Sequence, residues 1–123
     1  MSKNKILVVD DNPDLIETLK VRLKAFGYAV VTALDGVECL EKSRQESPDL
    51  ILLDILMPNM DGFKALEELK NNAKTRNIPV IMLTAKSQLS DVTRATNLGI
   101  EDYIVKPFDY RVMIEKIKKV LEK

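Results

Sequence analysis

The sequence has no histidine and a single cysteine, Cys39, among its 123 residues. Zinc, copper and haem sites rely on these two residue types, so a site of that kind has almost no ligands to draw on. One cysteine cannot form an internal disulfide, and a small buried thiol in a helical stretch is the favoured interpretation of Cys39. This cysteine usage fits a reducing environment, and a cytoplasmic location is expected.

An excess of charge of either sign is also absent, because 19 basic residues balance 19 acidic ones. Without net charge there is little long-range field to attract DNA, RNA or an anionic membrane, so we expect protein partners and no direct nucleic-acid binding. Three lysines near the end of the sequence, Lys116, Lys118 and Lys119, are interpreted as a solvated helix face. The apolar run from Ile6 to Val9 is too short for a signal peptide or a membrane span, and no membrane association is expected.

Glycine is scarce, and the four glycines form neither a GxGxxG fingerprint nor a P-loop. A nucleotide-binding or flavin-binding role is therefore disfavoured. The chain falls within the size range of one domain, which we expect to span residues 1–123 without a linker, and 46% of its residues are apolar. Such a chain can bury a core without a metal or a disulfide, so any bound ion should serve chemistry.

Five short apolar runs predict strands. Residues 6–9, 50–53 and 80–83 are apolar at every position, which is typical of parallel strands that are covered on both faces. Residues 29–33 and 103–105 are weaker candidates. A segment with helical spacing follows each run, so the order is strand then helix, five times. This order predicts a parallel sheet with helices on both faces.

The first helix should begin with Asn12 as N-cap and Pro13 at the first helical position, and it should end at Gly27. The second helix, near residues 37–45, is the least clear, because Ser43 and Arg44 interrupt its apolar face. The apolar stripes that we expect to face the core are Leu15, Leu19, Leu23 and Phe26; Phe63, Leu66 and Leu69; Val92, Ala95 and Leu98; and Met113, Ile117, Val120 and Leu121.

Polar residues follow four of the five predicted strands. Asp10 and Asp11 follow the first, Asp54 the third, Thr84 the fourth and Lys106 the fifth. In open parallel sheets, ligands bind beyond the carboxyl ends of the strands, so these side chains are expected at one edge. Any one of them alone is more often a helix cap or a solvated side chain. Their coincidence at strand ends points to a site.

Three clustered carboxylates repel each other and lose solvation unless a cation neutralises them. An oxygen-only ligand set suits Mg²⁺, with Mn²⁺ as the alternative. Asp54, fixed at the end of a buried strand, is then a candidate nucleophile toward phosphorus, while Asp10 and Asp11 hold the ion. Lys106 would pair with phosphoryl oxygens, and Thr84 would donate a hydrogen bond to another.

The complete ordered set of motifs spans essentially the whole chain and resembles the receiver domains of bacterial two-component response regulators, particularly the single-domain chemotaxis type. The resemblance implies an α/β, flavodoxin-like, doubly wound (βα)5 sandwich with a parallel sheet in the order 2-1-3-4-5. It also implies a phosphorylation-activated signalling switch rather than an enzyme acting on a separate substrate. The motifs that carry it are Asp10-Asp11, Asp54, Met57-Pro58, Asp61-Gly62, Thr84-Ala85 and Lys106-Pro107-Phe108.

The resemblance further implies a role for each site residue. Asp54 matches the acceptor that takes a phosphoryl group from a phosphohistidine on a histidine kinase or a phosphotransfer protein. Asp11, Asp54 and the backbone carbonyl of Leu56 match the Mg²⁺ ligands, and Asp10 acts through water. Lys106 and Thr84 match the residues that contact the phosphoryl group.

Signal output is implied by the same resemblance. Thr84 and Tyr103 match a switch pair that reshapes the face made by the fourth helix, fifth strand and fifth helix, where a downstream protein would bind. The bond before Pro107 is expected to be cis, against the base rate. Leu56 and Lys86 occupy positions that tune the lifetime of the phosphoryl group, and an apolar Leu56 is hypothesised to hinder an attacking water.

Several alternatives stay open at this point. A Mg²⁺-dependent phosphohydrolase working through an aspartyl phosphate would use the same residues, although no insertion is long enough for a lid. A docking domain that works without phosphorylation would not need clustered carboxylates. The sequence leaves open whether the chain is a stand-alone protein or part of a longer regulator, and whether phosphorylation drives homodimerisation.

Overall fold

Each predicted strand is present and is followed by a helix. The computed structural model describes residues 4–57, 59–85 and 91–122. Within these residues the order of elements is β1 (Lys5–Val9), α1 (Pro13–Ala25), β2 (Ala29–Ala33), α2 (Gly36–Glu46), β3 (Leu50–Asp54), α3 (Gly62–Lys70), β4 (Val80–Ala85), α4 (Val92–Leu98), β5 (Asp102–Lys106) and α5 (Tyr110–Leu121).

The five strands form one parallel sheet in the order β2-β1-β3-β4-β5, which confirms the expected flavodoxin-like topology. In the register of the sheet, Val9 lies opposite Leu53, and Asp54 lies opposite Leu83. On β5, Lys106 lies opposite Ala85. The chain turns from one side of β1 to the other between β2 and β3, so a crevice opens at the carboxyl ends of β1 and β3.

Two apolar layers cover the sheet. Leu7 and Val9 pack with α2, α3 and α4 on one face, while Ile6 and Val8 pack with α1 and α5 on the other. Every apolar side chain of these runs in β1, β3 and β4 is buried, as continuous apolar runs predict. A core filled from both faces fixes the strand ends and therefore the residues that follow them.

The predicted start of α1 is confirmed: Asn12 is the N-cap, and its side chain accepts hydrogen bonds from the N–H groups of Asp14 and Leu15. The expected core position of Phe26 is wrong, because this residue follows the last turn of the helix and is 54% exposed. Ile16 takes its place in the core. The buried face of the helix therefore contains Ile16, Leu19 and Leu23, and it differs slightly from the predicted stripe that began at Leu15.

The residues that obscured α2 in the sequence are accommodated inside the helix. Ser43 is buried, and its hydroxyl donates to the carbonyl of Cys39 at 2.6 Å, so no polar group is left without a partner there. Cys39 is fully buried, and burial raises the pKa of its thiol to about 12. The interpretation of Cys39 as a small buried thiol is confirmed.

The stripes of the later helices are confirmed in part. Phe63, Leu66 and Leu69 of α3 are all buried. In α4 only Ala95 is buried, and Val92 and Leu98 are partly exposed. In α5, Met113, Ile114 and Ile117 form the buried face, whereas Val120 and Leu121 are partly exposed. No helix in the described ranges is long and apolar enough to cross a membrane.

Candidate functional site

The carboxyl edge of the sheet brings three aspartates together. Asp10 follows the last residue of β1, Asp54 ends the neighbouring strand β3, and Asp11 lies beside Asp10. One carboxylate oxygen from each lies within 4.8 Å of those from the other two. Asp10 and Asp54 are buried, with exposures of 1% and 6%, while Asp11 is exposed. The convergence expected from the strand ends is therefore present for all three carboxylates.

Lys106 reaches this cluster from the end of β5. Its ammonium lies 2.7 Å from Oδ2 of Asp10 and 3.3 Å from Oδ1 of Asp54, with 26% of its side chain exposed. The second oxygen of Asp10 accepts a hydrogen bond of 3.0 Å from the N–H of Asn12. Both carboxylate oxygens of Asp10 therefore have partners. The contact of Lys106 with Asp54 is longer than its contact with Asp10.

The electrostatics of the cluster are incompletely balanced. Burial, assisted by the charges of Asp10 and Asp11, raises the pKa of Asp54 to about 6, although Lys106 opposes the shift. Burial by itself would lower the pKa of Lys106, but the hydrogen bond that its ammonium donates to Asp10 and the charge of Asp54 outweigh burial and raise that pKa. At neutral pH the Asp54 carboxylate is therefore mostly ionised and Lys106 is charged.

Thr84 and Tyr103 lie on neighbouring strands, β4 and β5, and face different environments. Thr84 is fully buried one residue beyond Leu83, the register partner of Asp54, and its hydroxyl donates to the carbonyl of Ala85 at 3.1 Å. Tyr103 is 37% exposed on the outer strand, with the ammonium of Lys116 5.5 Å from its ring centroid. The Lys106–Pro107 peptide bond is cis.

Lys116 is not simply solvated, and in this respect the interpretation of the terminal lysines is wrong. Its ammonium forms an ion pair of 2.9 Å with Asp102. Lys118 lies over the ring of Phe26, with 5.9 Å between its ammonium and the ring centroid. These contacts connect α5 to β5 and to the end of α1. Lysine side chains of this helix therefore make specific contacts, which the spacing of residues in the sequence did not indicate.

The loop after β3 is shaped by Gly62. Its N–H donates to the carbonyl of Ile55 at 2.7 Å, and a Cβ at this position would overlap the backbone of Asp54 and Ile55. The glycine of the Asp61-Gly62 motif is therefore required by this close approach of the two backbone segments. Asp61 caps α3 by accepting from the N–H of Lys64.

Two further residues of this region gave no signal in the sequence. Asn59, in the loop before α3, donates its side-chain amide to Oδ2 of Asp35 at 3.0 Å. These residues are 24 positions apart, so only the tertiary fold brings them together.

The side chain of Leu56 is 62% exposed in the same loop. Pro58 and Lys86, which the sequence also singled out, lie outside the described residues.

The donor set determines which ligand the cluster can hold. Three carboxylates face one ammonium within the described part of the chain, so a cation would restore the charge balance. All the candidate ligand atoms are oxygens, which hard divalent cations prefer. The acidic cluster could therefore hold a metal ion close to Asp54.

Comparison with known proteins agrees with this geometry. Residues 6–118 match the family described as the response regulator receiver domain. The N-terminal domain of a response regulator receiver protein from Methanoculleus marisnigri is 43% identical, with a TM-score of 0.79 and 99% of each chain covered. Chemotaxis protein CheY4 from Vibrio cholerae is 29% identical, with a TM-score of 0.91 over 98% of this chain and 100% of that one.

Longer proteins are also similar. The DNA-binding dual master transcriptional regulator RpaA of Synechocystis is 36% identical over 97% of this chain but only 49% of its own length. The chain spans about half the length of the curated relatives it matches. RpaA is described as DNA-binding, which partly conflicts with the expectation of no direct nucleic-acid binding that the neutral charge of these 123 residues favoured. With the match over most of its length, the chain belongs to the response regulator receiver domain family.

Proposed function

We propose that this domain is a phosphorylation-activated switch of a two-component system, with Asp54 as the phosphoryl acceptor. The observation that carries the proposal is the position of Asp54: buried at the end of β3, beside two other carboxylates and 3.3 Å from the ammonium of Lys106. A scaffold gains nothing from three carboxylates at one strand edge, because their repulsion disfavours the folded state. In a site for a cation and a phosphoryl group, the same repulsion among the carboxylates favours binding of the cation.

The ion that fits is Mg²⁺, with Mn²⁺ as a substitute. Asp11, Asp54 and the backbone carbonyl of Leu56 would hold it, and Asp10 would contribute through a bound water. When bound, the ion supplies positive charge that neutralises the carboxylates and the phosphoryl oxygens. The all-oxygen donor set and the raised pKa of Asp54 support this assignment.

The reaction needs little chemistry from the protein beyond position and charge. An oxygen of ionised Asp54 forms a bond to phosphorus while the bond from phosphorus to the histidine nitrogen of the donor breaks, and that nitrogen takes up a proton. Lys106, held by Asp10 and already close to Asp54, neutralises charge on the transferred group. Thr84, buried beside Asp54 on the next strand, would turn its hydroxyl from Ala85 to a phosphoryl oxygen.

Output would use the face formed by α4, β5 and α5. A cavity of about 420 Å³ lies on the β5 and α5 part of this face, lined among others by Tyr103, Val112 and Lys116. When Thr84 moves toward the phosphoryl group, space opens behind it for Tyr103 to turn inward, which changes this surface. The expected partners are a histidine kinase or phosphotransfer protein upstream and a protein target downstream.

The domain itself is proposed to act as a switch without turnover of a separate substrate, in the cytoplasm. Within a longer regulator, the same switch would control an attached output domain, as the names of the transcriptional relatives suggest for such proteins. Phosphorylation-dependent homodimerisation through the α4, β5 and α5 face is one way to transmit the signal.

The test is phosphorylation by acetyl phosphate, followed by intact-mass measurement. We expect one phosphoryl adduct on the wild-type protein with Mg²⁺ and none after chelation of the metal. Asp54→Asn should give none, whereas Asp109→Asn should behave as wild type, because Asp109 is an exposed helix cap after β5. Absence of an adduct despite bound Mg²⁺ would contradict the switch. Sustained release of phosphate from generic phosphate esters would favour the phosphohydrolase instead.

A further inference from the structure

The loop between β3 and α3 is tied to the start of α2 by the carboxylate of Asp35. One oxygen of Asp35 accepts from the N–H of Glu38 at 2.9 Å and caps α2. The other accepts from the side-chain amide of Asn59 at 3.0 Å. The hydrogen bond from Glu38 and, to a smaller extent, the one from Asn59 lower the pKa of Asp35. The carboxylate is therefore ionised, and both hydrogen bonds are charge-assisted. One side chain thus serves a helix and a neighbouring loop.

The backbone supports the same contact. Asn59 adopts a left-handed conformation with φ of 69°, which asparagine tolerates better than most residues. Gly36 lies directly against the next loop residue, and a Cβ on it would come within 2.7 Å of both Cβ and the carbonyl oxygen of Met60. The start of α2 and the β3–α3 loop are therefore in close contact at Gly36 and Met60, and the hydrogen bond between Asp35 and Asn59 joins them.

Leu56 lies between two fixed points of this loop. On one side, the N–H of Gly62 binds the carbonyl of Ile55 and closes the base of the loop against Asp54. On the other side, Asn59 is held to Asp35. The side chain of Leu56 is 62% exposed and contributes little packing of its own. Its backbone position therefore depends on its neighbours, the buried Ile55 and the core-packed Met57, and on these two hydrogen bonds.

We propose that Asp35 is a positioning residue for the metal centre: through Asn59 it holds the β3–α3 loop so that the backbone carbonyl of Leu56 stays beside Asp54. The inference rests on the proposed function, in which that carbonyl is a metal ligand. Mg²⁺ demands near-ideal geometry, and a ligand that must be ordered on binding weakens affinity. Loss of one exposed hydrogen bond should weaken Mg²⁺ binding about three- to tenfold.

Variants can separate this role from helix capping. Asp35→Ser keeps a good capping hydroxyl for α2 but is too short to hold Asn59. Asn59→Gly keeps the left-handed backbone and removes the amide. Asp35→Asn allows only a neutral amide–amide hydrogen bond in place of the charge-assisted one. Adding Asn59→Asp exchanges donor and acceptor and restores a charge-assisted bond at unchanged net charge. Asp49→Ser is the matched control, because it removes a bond of 2.7 Å to the N–H of Lys5 at the opposite edge of the sheet.

The experiment measures Mg²⁺ affinity by calorimetry and hydrogen exchange of residues 55–62 without metal, with urea unfolding of every variant. We expect weaker Mg²⁺ binding and faster loop exchange in the three single variants of the pair, wild-type values in the exchanged double variant, and no change in Asp49→Ser. Wild-type affinity in Asp35→Ser and Asn59→Gly would overturn the positioning role. Failure of the exchanged pair to restore affinity would also overturn it.

Different results would contradict the proposed switch and the positioning role of Asp35. Wild-type protein that binds Mg²⁺ but accepts no phosphoryl group refutes the proposed switch, while the variant affinities still decide the role of Asp35. Wild-type protein that binds no Mg²⁺ refutes the metal centre and the positioning role together. Normal phosphorylation with unchanged affinity across the variants refutes the positioning role alone.

Discussion

Asp54→Asn should stabilise the metal-free protein at neutral pH. The folded state raises the pKa of Asp54 from its ordinary value of 3.8 to about 6, chiefly by burial and then by the charge of Asp10. Ionised Asp54 is therefore less favourable in the folded than in the unfolded chain. An asparagine has almost the same shape and carries no charge, so it removes this penalty while keeping the packing at the end of β3.

The size of the effect follows from the shift. The rise of the Asp54 pKa from 3.8 to about 6 corresponds to about 3 kcal/mol in the free energy of unfolding. Because the folded-state pKa lies above the unfolded value, the penalty is absent below 3.8 and complete above about 6. At about pH 5, roughly half of this penalty should remain.

The assay is urea unfolding followed by circular dichroism at about pH 7.5 and about pH 5, without divalent cations. The difference between variant and wild type isolates Asp54, because all other groups titrate in both proteins. We expect Asp54→Asn to be more stable by about 3 kcal/mol at the higher pH and by about half as much at the lower.

A second arm adds Mg²⁺ at the higher pH. A ligand that binds only the folded protein stabilises it, and the stabilisation grows with ligand concentration. Wild type should therefore gain stability with Mg²⁺ and approach or pass the variant, which has lost one carboxylate ligand. If Asp54→Asn left the stability unchanged or lowered it at both pH values, burial would not destabilise ionised Asp54, because Lys106 would already balance its charge.

Three further perturbations test the surrounding geometry. Lys106→Met leaves buried Asp10 without its partner at 2.7 Å, and urea unfolding should show a loss of about 2 kcal/mol, below the value for a fully buried pair because the lysine is 26% exposed; equal or higher stability would contradict the pairing. Gly62→Ala forces a Cβ against the backbone of Asp54, and the same measurement should show a loss of about 1–3 kcal/mol. Cys39 should react with a thiol reagent on the order of 100-fold slower in the native protein than in urea, and fast native labelling would refute its burial.

The strands and the location of the site could be predicted because both depend on local pattern. Continuous apolar runs are stable only when both faces are covered, and parallel strands bring their carboxyl ends to one edge. Asp10 and Asp54 follow or end such runs, so burial of the strands fixes their backbones independently of their side-chain contacts. The same logic identified Lys106 without any knowledge of its partners.

The features that escaped prediction depend on tertiary contacts between loops and helix ends. Nothing near Asn59 in the sequence indicates that its amide will meet Asp35, since the two loops are brought together by the packing of α2 and α3 on the sheet. Phe26 has the spacing of a core residue, but the helix ends before it and its ring remains outside under Lys118. Periodicity describes a helix interior and fails where the helix stops.

The geometry also gives a reason why Asp54, rather than Asp10, should accept the phosphoryl group. Asp10 is the more buried of the two, but both of its oxygens are engaged, one by the ammonium of Lys106 and the other by the N–H of Asn12. Using Asp10 as a nucleophile would break these contacts and leave Lys106 without its closest partner. Asp54 holds Lys106 by the longer contact and keeps a raised pKa, so its carboxylate is the less stabilised nucleophile. A phosphoryl group added to Asp54 gives Lys106 new oxygens to bind while Asp10 continues to hold it, and the strand that carries Asp54 does not have to move.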